Sequence, residues 1–327
     1  MESFWQSFDT KFMVLAPMED VTDTVFREII LSVSSPDILN VVFTEFTSTD
    51  GMCDSRGRAK VMERLVVNES ERLLLKARNT KLVAQIWGSE PAKFREAARI
   101  ITDLELFDGI DINMGCPVKK VVKGSSCSAL IKYPTLAKEI VLATMAGTTL
   151  PVSVKTRIGF NEVITEEWIG HLLDTNPAAI TVHGRTQKMM SNGEAMWSEI
   201  AKAAELRNRR GASTTIVGNG DVTGYLDAVD KANTFGVDGV MVGTGIFKNP
   251  WLFNRNTPDI TVDERLSLLQ NHIELYRNTW NTAKNYNVLK RFYKIYLNGF
   301  RGAAELREKM MLAHGYEEAL NVLRAIR

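Results

Sequence analysis

Eight short apolar runs recur along the chain up to about residue 242, each followed by polar or small residues and then by a longer helical pattern. Most of these runs are continuous and not alternating, as expected of parallel strands that are covered on both faces. We therefore predict eight strands, at residues 12–16, 41–46, 82–87, 109–113, 152–156, 179–183, 215–218 and 239–242.

The amphipathic segments 91–104, 135–145, 166–174 and 197–207 predict helices that cross over between these strands. Eight β/α units within about 250 residues favour a closed (β/α)₈, or TIM, barrel over an open doubly wound sheet. An open sheet would normally carry a GxGxxG turn after its first strand, and Ala16-Pro-Met-Glu-Asp20 is not such a turn. Strand-like runs end near residue 254, and the pattern beyond it is helical. We therefore predict an α/β TIM barrel at 1–253 and a smaller C-terminal helical domain at 254–327.

The composition describes an ordinary globular chain with enough apolar residues for a sizeable core: 45% of its 327 residues are hydrophobic and 24% are charged. Neither a signal-peptide pattern nor an apolar run of roughly 20 residues is present, so we expect a cytoplasmic protein without a membrane span. Three cysteines without a CxxC pair and four scattered histidines lack metal-ligand spacing, so we expect no metal.

The net charge of +1 conceals an uneven distribution. From residue 254 onward there are 12 basic and 8 acidic residues, out of 40 and 39 in the whole chain. This segment interleaves bases with aromatics in Lys290-Arg-Phe-Tyr-Lys-Ile-Tyr296 and in the run from Gly299 to Arg307. Basic side chains bind phosphates, and aromatic rings stack on splayed nucleobases, so this pattern indicates an RNA-binding face. A solvated helix with an aromatic core stripe explains the pattern equally well.

Reacting groups in a TIM barrel lie at the carboxyl ends of the strands. One polar residue there is more often structural than functional, but here polar groups follow every predicted strand. They are Pro17-Met18-Glu19, Glu45, Gln85, Asn113 with Cys116, Lys155 with Arg157, His183 with Arg185, Asn219-Gly220-Asp221 and Gly243-Thr244-Gly245.

Several of these positions suit a flavin. Glycine in the turns after strands seven and eight lets backbone N–H groups curve around a phosphate, although helix capping explains one such turn equally well. Lys155 could hold negative charge on a reduced ring, and the Gln85 amide could satisfy a ring carbonyl and a ring N–H together. His183 ends a strand, where a purely structural histidine is the alternative.

Cys116 lies in a turn just past the fourth run, between Gly115 and Pro117. A thiol with an ordinary pKa of roughly 8.5 is mostly protonated at neutral pH and can give a proton. We therefore predict an acid at Cys116, whereas we expect Cys53 and Cys127 to be small buried hydrophobes.

Together these runs resemble the dihydrouridine synthase family from about residue 13 to 307. The resemblance rests on seven motifs in one order: Ala16-Pro-Met-Glu-Asp-Val-Thr-Asp23, Thr44-Glu-Phe46, Asn113-Met-Gly-Cys-Pro117 with Lys119, Val154-Lys-Thr-Arg157, His183-Gly-Arg-Thr186, Gly218-Asn-Gly-Asp221 and Gly299-Phe-Arg-Gly-Ala303. It implies a monomeric FMN enzyme that draws a tRNA uridine from its stack, with NADPH reducing the flavin. A hydride then passes to uracil C6, and Cys116 protonates C5.

By the same resemblance two sets of binding residues are implied. The FMN set is Pro17, Met18, Gln85, Lys155, His183, Asn219, Gly220, Asp221, Gly243 and Thr244. The substrate set is Glu45, Asn113, Lys119, Arg157 and Arg185.

The chain departs from the family pattern in three places. Gly124-Ser-Ser-Cys-Ser-Ala129 replaces a stretch rich in Gly and Ala, and Met189 stands where a glutamine is frequent. Thr244 stands where an arginine commonly follows the glycine, so the hydroxyl can bond a phosphate but brings no charge.

Two rival hypotheses remain. The first is another flavin barrel acting on a pyrimidine, such as a dihydroorotate-type dehydrogenase, against which the basic tail and Cys116 argue. The second is a catalytically inactive RNA-binding or RNA-folding protein, motivated by Thr244.

Overall fold

The computed structural model describes residues 3–8, 10–256 and 259–326. The described residues contain nine parallel strands in one sheet. They are β1 (Phe12–Leu15), β2 (Leu39–Phe43), β3 (Thr47–Ser48), β4 (Lys81–Trp87), β5 (Gly109–Met114), β6 (Val152–Arg157), β7 (Ala179–His183), β8 (Thr215–Asn219) and β9 (Gly239–Val242).

The sheet closes on itself. Strand β1 pairs with β2 on one side and with β9 on the other, and β2 also pairs with β4. Eight strands therefore form a closed barrel, and the two-residue β3 adds to β4 beside it. The predicted TIM barrel is confirmed.

The predicted strands match the observed ones except at the second. Strand β2 begins at Leu39, which pairs with Met13, and it ends at Phe43, before the predicted end at residue 46. It ends early because the Thr44 hydroxyl accepts the N–H of Gln85 at 3.1 Å, in place of a backbone carbonyl. Glu45 thereby lies in the loop that follows the strand.

The helices alternate with the strands up to β9 and then follow one another. They are α1 (Thr24–Val33), α2 (Thr49–Cys53), α3 (Arg58–Met62), α4 (Glu69–Arg78), α5 (Pro91–Asp103), α6 (Lys119–Lys123), α7 (Pro134–Met145), α8 (Thr165–Leu173), α9 (Trp197–Arg209), α10 (Tyr225–Thr234), α11 (Val262–Trp280), α12 (Tyr293–Tyr296), α13 (Ala303–Leu312) and α14 (Tyr316–Arg324). Short 3₁₀ turns span Phe4–Gln6, Glu63–Leu65, Cys127–Lys132, Thr244–Phe247 and Tyr286–Phe292.

Local chemistry explains the ends of several helices. Proline stands at the first position of α5 and α7, where its missing N–H costs nothing. Helix α11 starts with a capping box between Thr261 and Glu264. The four predicted crossover helices are present within about two residues of their predicted ends, and none of the described helices is both long and apolar enough to cross a membrane.

Trp5 closes the amino-terminal end of the barrel interior. Trp5, in the turn before β1, is 2% exposed, and its ring lies 5.9 Å from that of Phe12 and 6.3 Å from that of Phe43. Apolar side chains of the strands pack with Trp5 in one cluster along the barrel axis. Any ligand of the barrel interior must therefore enter from the carboxyl ends of the strands, as in other barrels of this architecture.

The helices after β9 pack on the α1 side of the barrel. The ring of Phe292 stacks on that of Phe26 at 5.2 Å, and the indole Nε1 of Trp280 donates to Asp23 at 2.7 Å. Phe292, Tyr293 and Tyr296 are all at most 2% exposed. Of the two alternatives left open by the sequence, these three aromatics follow the second, because they form a buried core stripe and are not free to stack on nucleobases. The boundary at residue 253/254 stays a prediction.

His272 gives this helical core a testable dependence on pH. It is fully buried, its Nδ1 pairs with the Tyr296 hydroxyl at 2.8 Å, and burial lowers its pKa to about 4. The unfolded chain takes up this proton near pH 6.5 and the folded chain only near 4, so the free energy of unfolding should fall as pH drops through this window, by up to roughly 3 kcal/mol.

We predict that His272→Gln, which keeps a polar partner for Tyr296 but cannot titrate, flattens the loss of stability between pH 7 and 4.5 in urea unfolding. The exposed His314→Gln serves as the control and should behave like the unaltered protein. Parallel pH dependences for all three proteins would contradict the assignment.

Candidate active site at the barrel mouth

A cavity of about 520 Å³ opens at the carboxyl ends of β1, β6, β7, β8 and β9. Every residue of the predicted FMN set lines it except Gln85. The lining residues include Pro17, Met18, Lys155, His183, Asn219, Gly220, Asp221, Gly243 and Thr244, together with Arg157 and Arg185 of the substrate set.

Lys155 carries its amine into this cavity from β6. Its Nζ donates to Asn219 Oδ1 at 3.0 Å, and the Asn219 amide nitrogen donates to the Met241 carbonyl at 2.8 Å. Asn219 is thus held with its oxygen toward the lysine. Burial and the nearby Arg157 charge lower the Lys155 pKa to about 8. The amine is therefore still largely protonated at neutral pH, as a weakly hydrated cation.

His183 is a neutral imidazole. Burial, together with the charges of Lys155, Arg157 and Arg185, lowers its pKa to about 2. Its Nε2 lies 3.2 Å from Nη1 of Arg185, and since a guanidinium can only donate, Nε2 accepts and Nδ1 bears the hydrogen. The ring accordingly offers one N–H donor and no charge.

Arg185 is fixed by partners on three sides. Its Nη2 donates to both oxygens of Asp221, at 2.8 and 2.7 Å, and to the Gly193 carbonyl at 2.6 Å. Burial acts to raise the Asp221 pKa, but hydrogen bonds from Arg185 and from the Ala195 N–H outweigh it and lower the pKa. The ion pair therefore persists at neutral pH and anchors the turn after β8.

The glycines after β8 and β9 differ in the space around them. Gly220 has φ of 129°, and a Cβ there would lie 2.6 Å from that of Ala195, so a side chain is excluded both by conformation and by space. A Cβ on Gly243 would meet only Ala16, at 3.8 Å. The backbone at the end of β9 is thus open to a ligand, whereas at the end of β8 the tight contact with Ala195 and the positive φ both require glycine.

Asn113 and Gln85 belong to a buried polar network beside the cavity. Asn113 Oδ1 accepts the N–H groups of Gly115 and Cys116 at 3.0 and 2.9 Å, and its amide donates to Gln85 at 2.9 Å. Gln85 in turn donates to Asp111 at 2.7 Å, and burial raises the Asp111 pKa to about 6. Asn113 thereby fixes the turn that carries Cys116.

Arg157 links this turn to the loop after β7. Its Nε donates to the Gly115 carbonyl at 2.7 Å, and its Nη1 donates to the carbonyls of Thr186 and Met190 at 3.1 and 2.8 Å. Burial lowers the Arg157 pKa to about 10. The guanidinium therefore places a positive charge next to the cysteine turn at neutral pH.

The Cys116 thiol is more acidic than usual. A hydrogen bond from Cys127 lowers its pKa to about 7 despite the opposing effect of burial, with smaller contributions from the Val118 N–H and the Arg157 charge.

The other two cysteines differ in burial. Cys127 is buried, as expected, whereas Cys53, at the carboxyl end of α2, is only half-buried. No cluster of His, Cys, Asp and Glu side chains in the described ranges is arranged to hold a metal ion.

The rest of the predicted substrate set lies outside the cavity. Glu45 is 2% exposed, its Oε1 accepts the Asp20 N–H at 2.7 Å, and Lys284 from the helical region lies 3.5 Å from its Oε2. Burial raises the Glu45 pKa. Lys119 is exposed at the start of α6.

Sequence reasoning placed Glu19 at a strand end without giving it a role, and it missed Lys248. Glu19 pairs through Oε1 with Arg64 at 2.5 Å, while its buried Oε2 has no hydrogen-bond partner among the described residues. Lys248 lines the cavity, and its amine makes no ion pair or hydrogen bond within the part of the chain that the structure describes. Lys248 follows Thr244 by four residues, about one helical turn, and this spacing was the sequence signal that could have placed it beside the same turn.

Comparison with known proteins agrees with this geometry. The family model described as dihydrouridine synthase matches residues 14–327. The chain belongs to the dihydrouridine synthase family. A probable tRNA-dihydrouridine synthase of Staphylococcus aureus (strain MRSA252) is 40% identical to it, over 98% of this chain and 95% of the relative. The probable tRNA-dihydrouridine synthase 2 of Bacillus subtilis (strain 168) is also 40% identical, over 98% and 96% of the two chains.

Solved structures relate this family member to other barrels at the level of the fold. A complex of 2-naphthoyl-CoA reductase with 2-naphthoyl-CoA superposes with a TM-score of 0.54 at 9% sequence identity. The match covers 74% of this chain and 49% of that chain. Identity this low relates the two folds alone.

Proposed function

We propose that this protein reduces the C5=C6 bond of uridines in tRNA to 5,6-dihydrouridine, as an NADPH-dependent flavoenzyme that binds FMN. The observation that carries the proposal is Cys116, an acidified thiol on a fixed turn beside a cavity lined by the predicted cofactor residues. Family membership and the names of the relatives support the reaction.

The cavity suits FMN. Its volume falls in the range of small-molecule sites, and the glycine backbone at Gly243 leaves room for a phosphate. The Lys155 cation and the N–H of neutral His183 suit an electron-rich ring and its carbonyl oxygens. When bound and reduced by NADPH, the flavin would supply the hydride that no protein side chain can give.

The protein itself supplies the proton. A general acid acts best when its pKa lies near the working pH, and that of Cys116 is about 7. Asn113 and Arg157 hold the turn on which the thiol sits, so its position does not depend on the substrate.

The RNA-binding face consists of bases around the buried aromatic stripe. Arg291, Lys294 and Arg301 are exposed, and Arg291 donates to the Asp20 carbonyl of the loop after β1 at 3.0 Å, close to the mouth. Lys290 is half-buried and donates to the Met311 carbonyl at 2.8 Å. These cations would contact the phosphates of the RNA backbone. Arg157 and Arg185 would instead support the loops that meet the uridine.

Colour separates this proposal from an inactive RNA-binding protein. A purified preparation that is yellow, with a flavin band that NADPH bleaches, supports an enzyme. A colourless protein that FMN does not reconstitute would overturn the enzymatic proposal. An assay with dihydroorotate in place of tRNA tests the dihydroorotate-type dehydrogenase hypothesis. Turnover of dihydroorotate would support that hypothesis, and its absence would argue against it.

Replacing Cys116 by alanine removes the proton donor without touching the cavity lining. We predict that Cys116→Ala abolishes dihydrouridine formation in tRNA while NADPH still reduces the flavin at the normal rate. Cys53→Ala, on the outside of the barrel, should leave both steps unchanged. Full product from the Cys116 variant would exclude it as the acid.

Lys248 supplies the positive charge that Thr244 lacks. One charge-assisted bond to a phosphate contributes about 1.5–3 kcal/mol, so Lys248→Met should weaken FMN binding roughly tenfold or more. Riboflavin, which has no phosphate, should bind both proteins equally well in fluorescence titrations of the apoprotein. Lys188→Met, an exposed lysine outside the cavity, is the control. Equal FMN affinities would show that another group meets the phosphate.

Charge reversal tests the RNA face. Lys294→Glu with Arg301→Glu should weaken tRNA binding and reduce the slope of log Kd against log salt by about one unit for each lost phosphate contact. Arg95→Glu, exposed on α5, changes the net charge on another side of the barrel and serves as the control. A salt slope that stays the same in the double variant would place the RNA elsewhere.

A further inference from the structure

Asp111 is a fully buried carboxylate that has no part in the proposed chemistry. It lies in β5, and both of its oxygens accept hydrogen bonds, from Ser153 Oγ at 2.6 Å and from Gln85 Nε2 at 2.7 Å. Burial raises its pKa to about 6, although both hydrogen bonds and the Lys155 charge oppose the rise, so the group is mostly ionised at neutral pH. An ionised carboxylate can only accept hydrogen bonds. Asp111 therefore requires a donor from each of these two neighbours.

A chain of four hydrogen bonds connects Asp111 with the turn that carries Cys116. Gln85 donates to Asp111 and accepts from the Asn113 amide at 2.9 Å. Asn113 Oδ1 in turn accepts the backbone N–H groups of Gly115 and Cys116, at 3.0 and 2.9 Å. Each donor along this chain points toward Asp111. The chain is sealed from solvent, because Gln85 is fully buried and Asn113 is 6% exposed.

The two ends of the chain determine how its two side-chain amides are turned. Backbone N–H groups can only donate, so Asn113 must present its oxygen to the turn and its nitrogen to Gln85. Asp111 can only accept, so Gln85 must present its nitrogen to the carboxylate and its oxygen to Asn113. The oxygen and nitrogen of an amide have nearly the same size, so shape alone does not select this orientation. Without the carboxylate, Gln85 would be free to flip and set its nitrogen against that of Asn113.

We propose that Asp111 is a positioning residue, which sets the orientation of the Gln85 and Asn113 amides and thereby holds the turn that carries Cys116. This role rests on the proposed function, in which Cys116 is the acid. Asp111 is not among the residues that line the cavity, so it acts through the two amides and not on the reacting atoms. A buried donor without a partner is costly, so the loss of the acceptor at one end is passed along the chain.

Replacing Asp111 tests its role as an acceptor separately from its charge. Leucine has nearly the shape of aspartate but accepts no hydrogen bond, so Asp111→Leu should lower kcat for dihydrouridine formation about tenfold or more, with KM for tRNA nearly unchanged. Asp111→Asn keeps an oxygen for Gln85, while its nitrogen can donate to Ser153 Oγ, so it should stay within a few-fold of the unaltered protein. Equal losses in both variants would mean that the charge matters and not the acceptor, and would overturn the proposal.

Ser153→Ala is the matched control for stability. It removes the other partner of Asp111 and leaves the four bonds of the chain in place. This variant should therefore lose thermal stability and keep its kcat. A kcat as low as that of Asp111→Leu would show that loss of stability alone lowers activity, and would contradict the positioning role.

Hydrogen exchange reports on the turn directly, without reference to activity. In Asp111→Leu the backbone amides of Gly115 and Cys116 should exchange about tenfold faster, as measured by mass spectrometry of the peptide that contains them. In Asp111→Asn and Ser153→Ala they should exchange at nearly the normal rate. Unchanged exchange in the leucine variant would refute the role. If Cys116→Ala retains activity, the proposed acid fails, yet the exchange result still shows whether Asp111 holds the turn.

Gln85→Glu gives a pH signature that a general loss of stability would not produce. When protonated, the introduced carboxyl donates to Asp111 and accepts from Asn113, as the amide does. Two carboxyl groups at the 2.7 Å spacing that joins Gln85 to Asp111 share one proton, which they release only as pH rises past a raised pKa.

This variant is assayed with saturating FMN, and its kcat is divided by that of the unaltered protein at the same pH. We expect the ratio to fall as pH rises from about 6 to about 9, because the shared proton is lost and the chain breaks. The ratio for Gln85→Met, which cannot titrate, should be low throughout. A ratio for Gln85→Glu that does not change with pH would contradict the role of the chain.

Discussion

The active site depends on closure of the sheet. Because β2 pairs with β4 and β1 with β9, the strands cannot splay, and their carboxyl ends form a ring. Residues that are far apart in sequence, such as Met18 and Thr244, thereby line the same cavity. Trp5 fills the opposite end of the barrel interior, so this interior opens at the ring. Strand pairing thus determines where the cavity lies.

Polar groups at the mouth are held mainly by one another. Asn113 fixes the cysteine turn, Arg157 ties that turn to the next loop, and Arg185 with Asp221 secures the turn after β8. Burying these cations is unfavourable, as the lowered pKa values of Lys155 and Arg157 show. Such an arrangement trades stability for groups that are already in place before a ligand arrives.

The helical region is joined to the barrel at the same face. Trp280 and Lys284 both donate to Asp23, which also caps α1, and Lys284 approaches Glu45. Its aromatic side chains form the core, and its exposed Lys and Arg side chains lie on the outside. This packing holds the barrel mouth and the basic surface in a fixed relation to each other.

The sequence alone determined the barrel, because continuous apolar runs with amphipathic segments between them have few other ways to bury both faces of a parallel sheet. It also determined most of the cavity lining, since residues that follow such strands must share one edge. Only the tertiary structure decided what those residues touch. Gln85 and Asn113 turned out to bond each other, Phe292 and Tyr296 to form a core, and Ser128 to bond the Cys116 carbonyl. Periodicity gives the direction of a side chain from its own strand or helix, whereas its partner depends on how distant segments pack.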